Sequence, residues 1–298
     1  MIDSIINCDV VGLADTVILG AGYDATASHL KGAVNGPSAI IKSISEDIEF
    51  FDIHSKTEPG YLYKIAAENL GNLNHLDPEK MVEFVSENYR KLIDMKKFTV
   101  LLGGEHSVSL GALRAFSDKL NPKDVTILQI DAHPDLRDDD SNSNPNQSSP
   151  SKFAHACVMR RAHELGFNIV QVGIRSYSKE EYEFFTREKN ITVFEWSEGK
   201  KHSIEEIIKA IKTKKIYISI DIDGFDPAHM PATGTPVPGG IEWYFGSDLI
   251  LSLINKKDLI GADIVEVSPR PNDVLTEYAA AQLCYKIISS QLLKQIVR

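Results

Sequence analysis

The sequence predicts a single α/β domain built on a mostly parallel sheet with helices on both faces. Short apolar runs alternate along the chain with longer helical patterns, which is the order expected of successive βαβ units. The runs are continuously apolar rather than alternating, as is typical of parallel strands that are covered on both faces. The 298 residues, 43% of them hydrophobic, are enough for one large core. No linker or internal repeat divides the chain, so residues 1–298 are interpreted as one domain.

Each predicted element follows from one of these patterns. Seven apolar runs are predicted to be strands: Thr16–Gly20, Phe98–Leu102, Val125–Ile130, Ile169–Gly173, Ile191–Phe194, Lys215–Ile220 and Ala262–Val267. Six segments are predicted to be helices: Asp77–Met95, Ser107–Leu120, Ser178–Lys189, Ser203–Lys212, Ser247–Asn255 and Val274–Val297.

Composition narrows the class of protein. The net charge of −10 disfavours nucleic acid and anionic membrane as partners and favours a cationic small molecule. No apolar run approaches the length of a membrane span, and the N-terminus lacks a basic region. The three widely spaced cysteines predict neither a disulfide framework nor a zinc site, and they fit a reducing compartment. We therefore expect a cytoplasmic protein.

Two segments imitate known ligand sites. Gly20–Ala25 has the glycine spacing of a dinucleotide-binding turn, but the residues that follow contain glycines and a proline and predict a loop rather than the required helix. The polar stretch 138–152 begins with three aspartates, but it lacks the glycine and glutamate of a calcium loop. We interpret 138–152 as a flexible surface insertion, with a lid as the alternative.

The most informative feature is a pair of acidic clusters. Asp131-Ala-His133-Pro-Asp135 follows one predicted strand, and Asp221-Ile-Asp223 follows another. The ends of parallel strands form the usual ligand-binding edge of an open α/β sheet. We expect Asp131, His133 and Asp135 to share one face only if the segment stays extended.

Two further strand ends can join this edge. Gly103-Gly-Glu-His106-Ser follows one predicted strand, and Glu266 lies near the end of another. Together the segments offer four aspartates and two imidazoles, which suits two hard or borderline divalent ions such as Mn²⁺. Two such ions, about 3.5–4 Å apart, can activate a shared water at neutral pH. Taken singly, each motif is just as typical of a capped turn or a satisfied polar residue.

Five motifs carry a family resemblance: Gly-Gly-Glu-His-Ser, Asp-Ala-His-Pro-Asp, Ser-Ile-Asp-Ile-Asp-Gly-Phe-Asp-Pro, Thr-Gly-Thr-Pro-Val-Pro-Gly-Gly and Glu-Val-Ser-Pro. Together they resemble the ureohydrolase family of arginase and agmatinase. The resemblance runs from Gly20 to about Pro269. It implies an eight-stranded, mostly parallel sheet and two Mn²⁺ ions. It also implies a trimer or hexamer, and a hydrolase that attacks a guanidinium carbon with metal-bound hydroxide.

The resemblance also implies roles for individual residues. One Mn²⁺ would be held by His106, Asp131, Asp135 and Asp221, and the other by His133, Asp131, Asp221 and Asp223. Asp131 and Asp221 would bridge the two ions. Three catalytic residues are implied: Asp223 hydrogen-bonds the hydroxide, Glu266 grips the guanidinium, and His155 transfers a proton and contacts substrate. Thr233 is a further candidate for substrate binding, with a turn role as the alternative.

The substrate is less firmly indicated. Arg137 and Ser178 stand where arginases carry an asparagine and an aspartate, so we expect the agmatinase branch, with agmatine cleaved to putrescine and urea in polyamine biosynthesis. Arg137, if it faced the pocket, would instead favour a carboxylated substrate: guanidinobutyrate, guanidinopropionate, arginine or formimidoylglutamate. A non-catalytic, metal-stabilised protein is the remaining alternative. A two-metal phosphoesterase fits poorly because the metal motifs lack arginine and lysine.

Overall fold

The computed structural model describes residues 4–141, 150–200 and 202–296. Within these ranges, the core is one sheet of eight strands in the order β2-β1-β3-β8-β7-β4-β5-β6. Every pairing between neighbouring strands is parallel. The strands are β1 (Thr16–Gly22), β2 (Ile65–Asn72), β3 (Phe98–Gly103), β4 (Val125–Ile130), β5 (Asn168–Ile174), β6 (Ile191–Glu195), β7 (Lys215–Asp221) and β8 (Asp258–Val265).

Helices connect the strands and cover the sheet. In the described part of the chain they are α1 (Gly36–Glu46), α2 (Pro59–Leu62), α3 (Pro78–Asp94), α4 (Ser109–Ser117), α5 (Val158–Leu165), α6 (Lys179–Arg187), α7 (Ile204–Ala210), α8 (Trp243–Lys256) and α9 (Leu275–Ile296). None of these helices has the length and apolarity needed to cross a bilayer.

The central strands are apolar on both faces because each face supports its own hydrophobic layer. Along β3, Val100 and Leu102 belong to one buried cluster, whereas Leu101 belongs to the other. Successive residues of a strand point to opposite faces, so one continuous apolar run serves both layers. The predicted α/β fold with helices on both faces is confirmed, and the sheet is all-parallel.

Most predicted elements are present with shifted ends, but β2, α1, α2 and α5 were missed. The predicted strand Ala262–Val267 runs instead over Asp258–Val265, so Glu266 follows it. The missed strand β2 lies at the sheet edge and is largely exposed after Ala66, which explains its mixed sequence. Helix α1 begins at Gly36-Pro37, a pair that we interpreted as loop although proline is tolerated in a first helical turn. Helix α5 was also missed.

The predicted loop after the dinucleotide-like turn is confirmed. Strand β1 ends at Gly22, and the first α-helix begins only at Gly36. Gly22 has a packing reason, since a Cβ there would lie 2.3 Å from the carbonyl oxygen of Val34.

The predicted insertion 138–152 lies partly outside the described residues, which omit 142–149. Its described ends are held against the protein. Asp138 Oδ1 accepts a hydrogen bond from Arg161 Nη2 at 3.0 Å, and Asp140 Oδ1 accepts one from the Ser151 amide at 2.5 Å. The three cysteines are unbonded thiols, and Cys157 and Cys284 are buried.

Candidate metal centre and substrate cavity

Four neighbouring strands bring the candidate residues to one edge of the sheet. Strands β3, β8, β7 and β4 are adjacent, and His106, Glu266, Asp221 and Asp131 lie at or just after their carboxyl ends. Parallel strands end at the same edge, so residues distant in sequence meet there. All four side chains are buried.

The first donor group surrounds a buried imidazole nitrogen. His106 Nδ1 lies 3.1 Å from Asp131 Oδ2, 3.1 Å from Asp135 Oδ2 and 3.5 Å from Asp221 Oδ2. This nitrogen is buried and makes no hydrogen bond of good geometry. An imidazole nitrogen left without a partner among three carboxylates is the arrangement that a divalent cation would complete.

The second donor group shares Asp131 with the first. His133 Nδ1 lies 3.1 Å from Asp223 Oδ2 and 3.6 Å from Asp131 Oδ1. Donor atoms of Asp131, His133 and Asp223 lie within 4.8 Å of one another, as do those of His106, Asp131 and Asp135. Two adjacent sites that share one carboxylate therefore have suitable donors.

The loop after β4 is not extended, although we expected Asp131, His133 and Asp135 to share one face only if it were. The Asp135 backbone adopts the left-handed region at φ 53°, and Glu266 does the same at φ 66°. The turn still delivers Asp135 to His106, so alternation along a strand was the wrong model for this segment. Such conformations cost a non-glycine residue roughly 1–3 kcal/mol and cluster at functional sites.

Burial and neighbouring charges shift the pKa values of the residues in the two donor groups. Burial lowers the pKa of His106, but the adjacent carboxylates of Asp131, Asp135 and Asp221 outweigh burial and hold that pKa well above 6.5. The pKa of His133 is also well above its usual range, since Asp223 and Asp131 outweigh burial. Burial and the Asp131 charge raise the pKa of Asp135 to about 7. Without metal, this centre therefore retains protons at neutral pH.

A stability measurement follows from these directions. A group whose pKa is raised on folding stabilises the folded state at low pH, and this contribution is lost as the pH rises through the raised value. We expect the melting temperature of chelator-stripped protein to fall as pH rises from about 6 to about 9. The reason is that the pKa values of His106, His133 and Asp135 are all raised in the folded protein. A double variant, His106→Asn with His133→Asn, should flatten the profile. A wild-type melting temperature that rises over this range would contradict the assignment.

Glu266 and His155 form a second pair beside the donor groups. Glu266 Oε1 accepts a hydrogen bond from the His106 amide at 2.9 Å and lies 3.6 Å from His155 Nδ1. Burial lowers the pKa of His155, but Glu266, Glu105 and Asp135 outweigh it and raise that pKa to about 9. These three carboxylates therefore favour the protonated form of His155 in the metal-free protein.

A cavity opens beside the donor groups. It is lined by five of the predicted site residues and by seven others: His133, Asp135, Arg137, His155 and Asp221, with Ser28, Ala156, Ser176, Tyr177, Ser178, Glu181 and Thr235. Thr233 and Glu266 are not among the lining residues. Thr233 is buried, and its carbonyl oxygen accepts a hydrogen bond from Arg270. Thr235, which sequence reasoning missed, donates to Asp223 Oδ2 at 2.9 Å.

Arg137 lines the cavity, but its charge is compensated there. Its Nε lies 3.8 Å from Oε2 of Glu181, a side chain only 3% exposed. Glu181 also accepts hydrogen bonds from the Leu136 amide and from the Ser178 amide and hydroxyl. The acid that neutralises Arg137 is thus Glu181, whereas Asp138 pairs with Arg161.

Sequence reasoning also missed Glu105, which lies inside the Gly-Gly-Glu-His-Ser motif. Its carboxylate is fully buried and accepts hydrogen bonds from the Thr26 amide and hydroxyl and from the Ser107 hydroxyl. The Thr26 hydroxyl in turn accepts from the His155 amide at 3.2 Å. Glu105 therefore fixes the loop that carries His155. Burial raises the pKa of Glu105 to about 7.

Two further residues support the donors from within the strands. Gln129 Nε2 donates to Asp131 Oδ2 at 2.6 Å. Ser219 Oγ donates to Asp263 Oδ1 at 2.8 Å and lies 2.9 Å from His106 Nε2. Because Ser219 uses its proton on Asp263, it accepts from His106 Nε2, so Nδ1 is the nitrogen that could bind a metal ion after losing its proton. Gln129 and Ser219 are polar residues inside apolar strand runs, and this could have marked them in the sequence as hydrogen-bond partners of buried groups.

Comparison with known proteins agrees with this fold and site. The model of the arginase family matches residues 14–289. An N(1)-aminopropylagmatine ureohydrolase of Synechocystis sp. is 36% identical over 282 residues, covering 92% of this chain and 88% of that protein. An agmatinase of Pyrococcus horikoshii is 30% identical over 280 residues, covering 92% and 91%.

A solved structure extends the likeness to three dimensions. The agmatine ureohydrolase of Thermoplasma volcanium superposes with a TM-score of 0.83 at 31% identity, covering 97% of this chain and 94% of that one. The chain belongs to the arginase family. It is a ureohydrolase, an enzyme that cleaves C–N bonds of linear amidines.

Proposed function

We propose that this ureohydrolase cleaves agmatine to urea and putrescine in the cytoplasm and requires two divalent metal ions. The observation that carries the proposal is a cavity in which the two donor groups lie beside an arginine that is already paired. A carboxylated substrate would need an unpaired cation near the mouth, and Glu181 removes the charge of Arg137 from that role.

The donor set supports the metal requirement. The residues that would hold the ions are His106, Asp131, His133, Asp135, Asp221 and Asp223. Carboxylates with a minority of imidazoles suit Mn²⁺, and four aspartates balance the charge of two divalent ions. When bound, the ions would supply Lewis acidity and lower the pKa of water to near neutrality.

The remaining residues account for the handling of substrate. We assign Glu266 as the anion that balances and orients the guanidinium, because it is buried with Oε1 3.6 Å from Nδ1 of His155, a residue that lines the cavity. His155 holds a proton on an imidazole near Glu266 and is placed to deliver it to the departing amine. Asp223, fixed by the Thr235 hydroxyl and by the Ala132 amide, keeps its carboxylate facing His133.

A second candidate is N(1)-aminopropylagmatine. It is favoured by the 36% identity to a ureohydrolase named for that compound. The two compounds share the guanidino group and the alkyl spacer, and they differ in the number of amines at the far end. The chemistry at the metal centre is therefore the same for both.

A substrate panel tests the proposal. Mn²⁺-loaded protein is assayed for urea release from agmatine, N(1)-aminopropylagmatine, arginine, 4-guanidinobutyrate and 3-guanidinopropionate, with formamide release from formimidoylglutamate alongside. We expect turnover of the amine-terminated compounds and little turnover of the guanidino acids, because the charge of Arg137 is already paired with Glu181. Urea release from a guanidino acid but not from agmatine would overturn the proposal.

The hydrogen bonds that link His106 to Ser219 and Ser219 to Asp263 support a further prediction. Removing the hydroxyl in Ser219→Ala is expected to weaken Mn²⁺ binding about 10- to 100-fold, since outer partners orient a ligating imidazole. Calorimetric titration of chelator-stripped protein measures this without reference to turnover. Ser247→Ala is the matched control, because Ser247 is a buried serine of helix α8 whose hydroxyl donates to the Tyr244 carbonyl oxygen rather than to a donor group. Mn²⁺ binding by Ser219→Ala as tight as that of the wild type would refute the role of Ser219.

A further inference from the structure

Among the described residues that line the cavity, every carboxylate already has a partner, so none is left over for a cationic tail. Its lining acids are Asp135 and Asp221, which belong to the donor groups, and Glu181. Glu181 is taken up by Arg137, by Ser178 and by the Leu136 amide. The other described lining residues are the paired Arg137, Ala156, two histidines, serines and a threonine, and one phenol ring, that of Tyr177.

Tyr177 is held in place from several sides. Its ring stacks on Tyr182 at a centroid distance of 6.3 Å and meets Phe185 edge-on at 5.6 Å. Its hydroxyl donates to Glu195 Oε1 at 2.5 Å, and Lys200 also contacts Glu195. Despite these contacts the residue is 38% exposed. Tyr177 therefore lines the cavity with a ring that its neighbours hold in place, and a ring held in this way can receive a ligand without being reorganised.

The chemistry of this ring suits an ammonium group. A cation placed over a tyrosine face is attracted by the ring quadrupole, and the attraction grows as the pair is shielded from water. Hydrogen bonding of the phenol to the Glu195 carboxylate leaves the ring electron-rich. Because Lys200 compensates Glu195, the ring face itself remains the attractive feature.

We propose that Tyr177 binds the distal ammonium of the substrate and thereby determines specificity for guanidines that end in an amine. This inference rests on the proposed function and deepens it. It places the guanidino end at the donor groups and the amine end against the Tyr177 ring. A guanidine whose tail ends in an ammonium therefore gains binding affinity from this ring, whereas one with a neutral tail does not.

Two substitutions at Tyr177 test the assignment. Tyr177→Leu removes the ring and keeps an apolar side chain, whereas Tyr177→Phe keeps the ring and removes the bond to Glu195. For agmatine and N(1)-aminopropylagmatine, we expect Tyr177→Leu to raise KM about 3- to 30-fold, the range of a cation–π contact, with kcat nearly unchanged. For n-butylguanidine, which lacks the ammonium, kcat/KM should stay within about twofold of the wild type.

The controls separate a binding role from a structural one. Tyr177→Phe should retain most of the affinity for agmatine, and Tyr244→Leu, at a tyrosine that is 76% exposed outside the cavity lining, should match the wild type. Equal losses on agmatine and n-butylguanidine, or equal losses in Tyr177→Phe and Tyr177→Leu, would overturn the proposal. So would unchanged kinetics in Tyr177→Leu.

A binding measurement keeps this proposal separate from the proposed function. If the wild type releases urea from none of the three guanidines, the proposed function fails. The affinity of Mn²⁺-loaded protein for putrescine, measured by calorimetry, then tests the ammonium site at Tyr177 independently of turnover. Tighter binding by the wild type than by Tyr177→Leu supports the ammonium site, and equal binding overturns it.

Discussion

Replacing Asp131 with asparagine is expected to lower urea release by roughly a thousandfold or more, because Lewis-acid catalysis supplies several kcal/mol of transition-state stabilisation. Asp131 is the carboxylate shared by both donor groups, with Oδ2 toward His106 and Oδ1 toward His133. An amide keeps the shape but removes a negative charge from the centre of the site. Metal analysis of the purified variant should show less than the wild-type content of Mn²⁺.

The control for Asp131→Asn is Asp138→Asn. Asp138 pairs with Arg161 in a partly exposed position, so its loss should change activity and metal content little. Wild-type activity in Asp131→Asn would contradict the metal site. Equal losses in Asp138→Asn would show that the effect was not local.

The second large effect is expected at Glu266. Glu266→Gln is expected to lower kcat/KM for agmatine about 100-fold or more, because a buried charged partner of the guanidinium is removed. The carbonyl oxygen of glutamine can still accept the His106 amide hydrogen bond that Glu266 Oε1 now accepts. Metal content should therefore remain at the wild-type level, which distinguishes this variant from Asp131→Asn.

A matched control for Glu266→Gln is Glu164→Gln, at an exposed helical position that pairs with Arg161. That variant should retain full activity. If Glu266→Gln also retained full activity, Glu266 would not be the anion that balances the guanidinium. A loss of Mn²⁺ together with activity would assign Glu266 to the metal site instead.

The fold could be predicted because its signals are local. Buried parallel strands such as β4 and β7 are continuously apolar, and a run of this kind has few other interpretations in a soluble protein. The edge strand β2 could not be found in this way, because exposure lets polar residues and glycine replace the apolar ones. Helix α1 was hidden by the Gly36-Pro37 pair at its start.

The site was only partly predictable, for a physical reason. Residues at or directly after the end of a strand, such as Asp221 and Asp131, are placed by the sheet and can be found from the sequence. Residues that reach the site through loop geometry, such as Asp135 and His155, were assigned to it only through the family resemblance, and Tyr177 and Thr235 were missed. Pairing across the fold is also invisible in a sequence, which is why the charge of Arg137 remained ambiguous until Glu181 was seen beside it.

The most direct test of the central claim is a metal titration of turnover. Chelator-stripped protein is titrated with Mn²⁺ while urea release from agmatine and bound metal are measured in the same samples. We expect negligible activity without metal and a rise that reaches its plateau at two ions per chain. Full activity in the stripped protein, or a plateau at one ion per chain with no further gain, would contradict a site built from two donor groups that share Asp131.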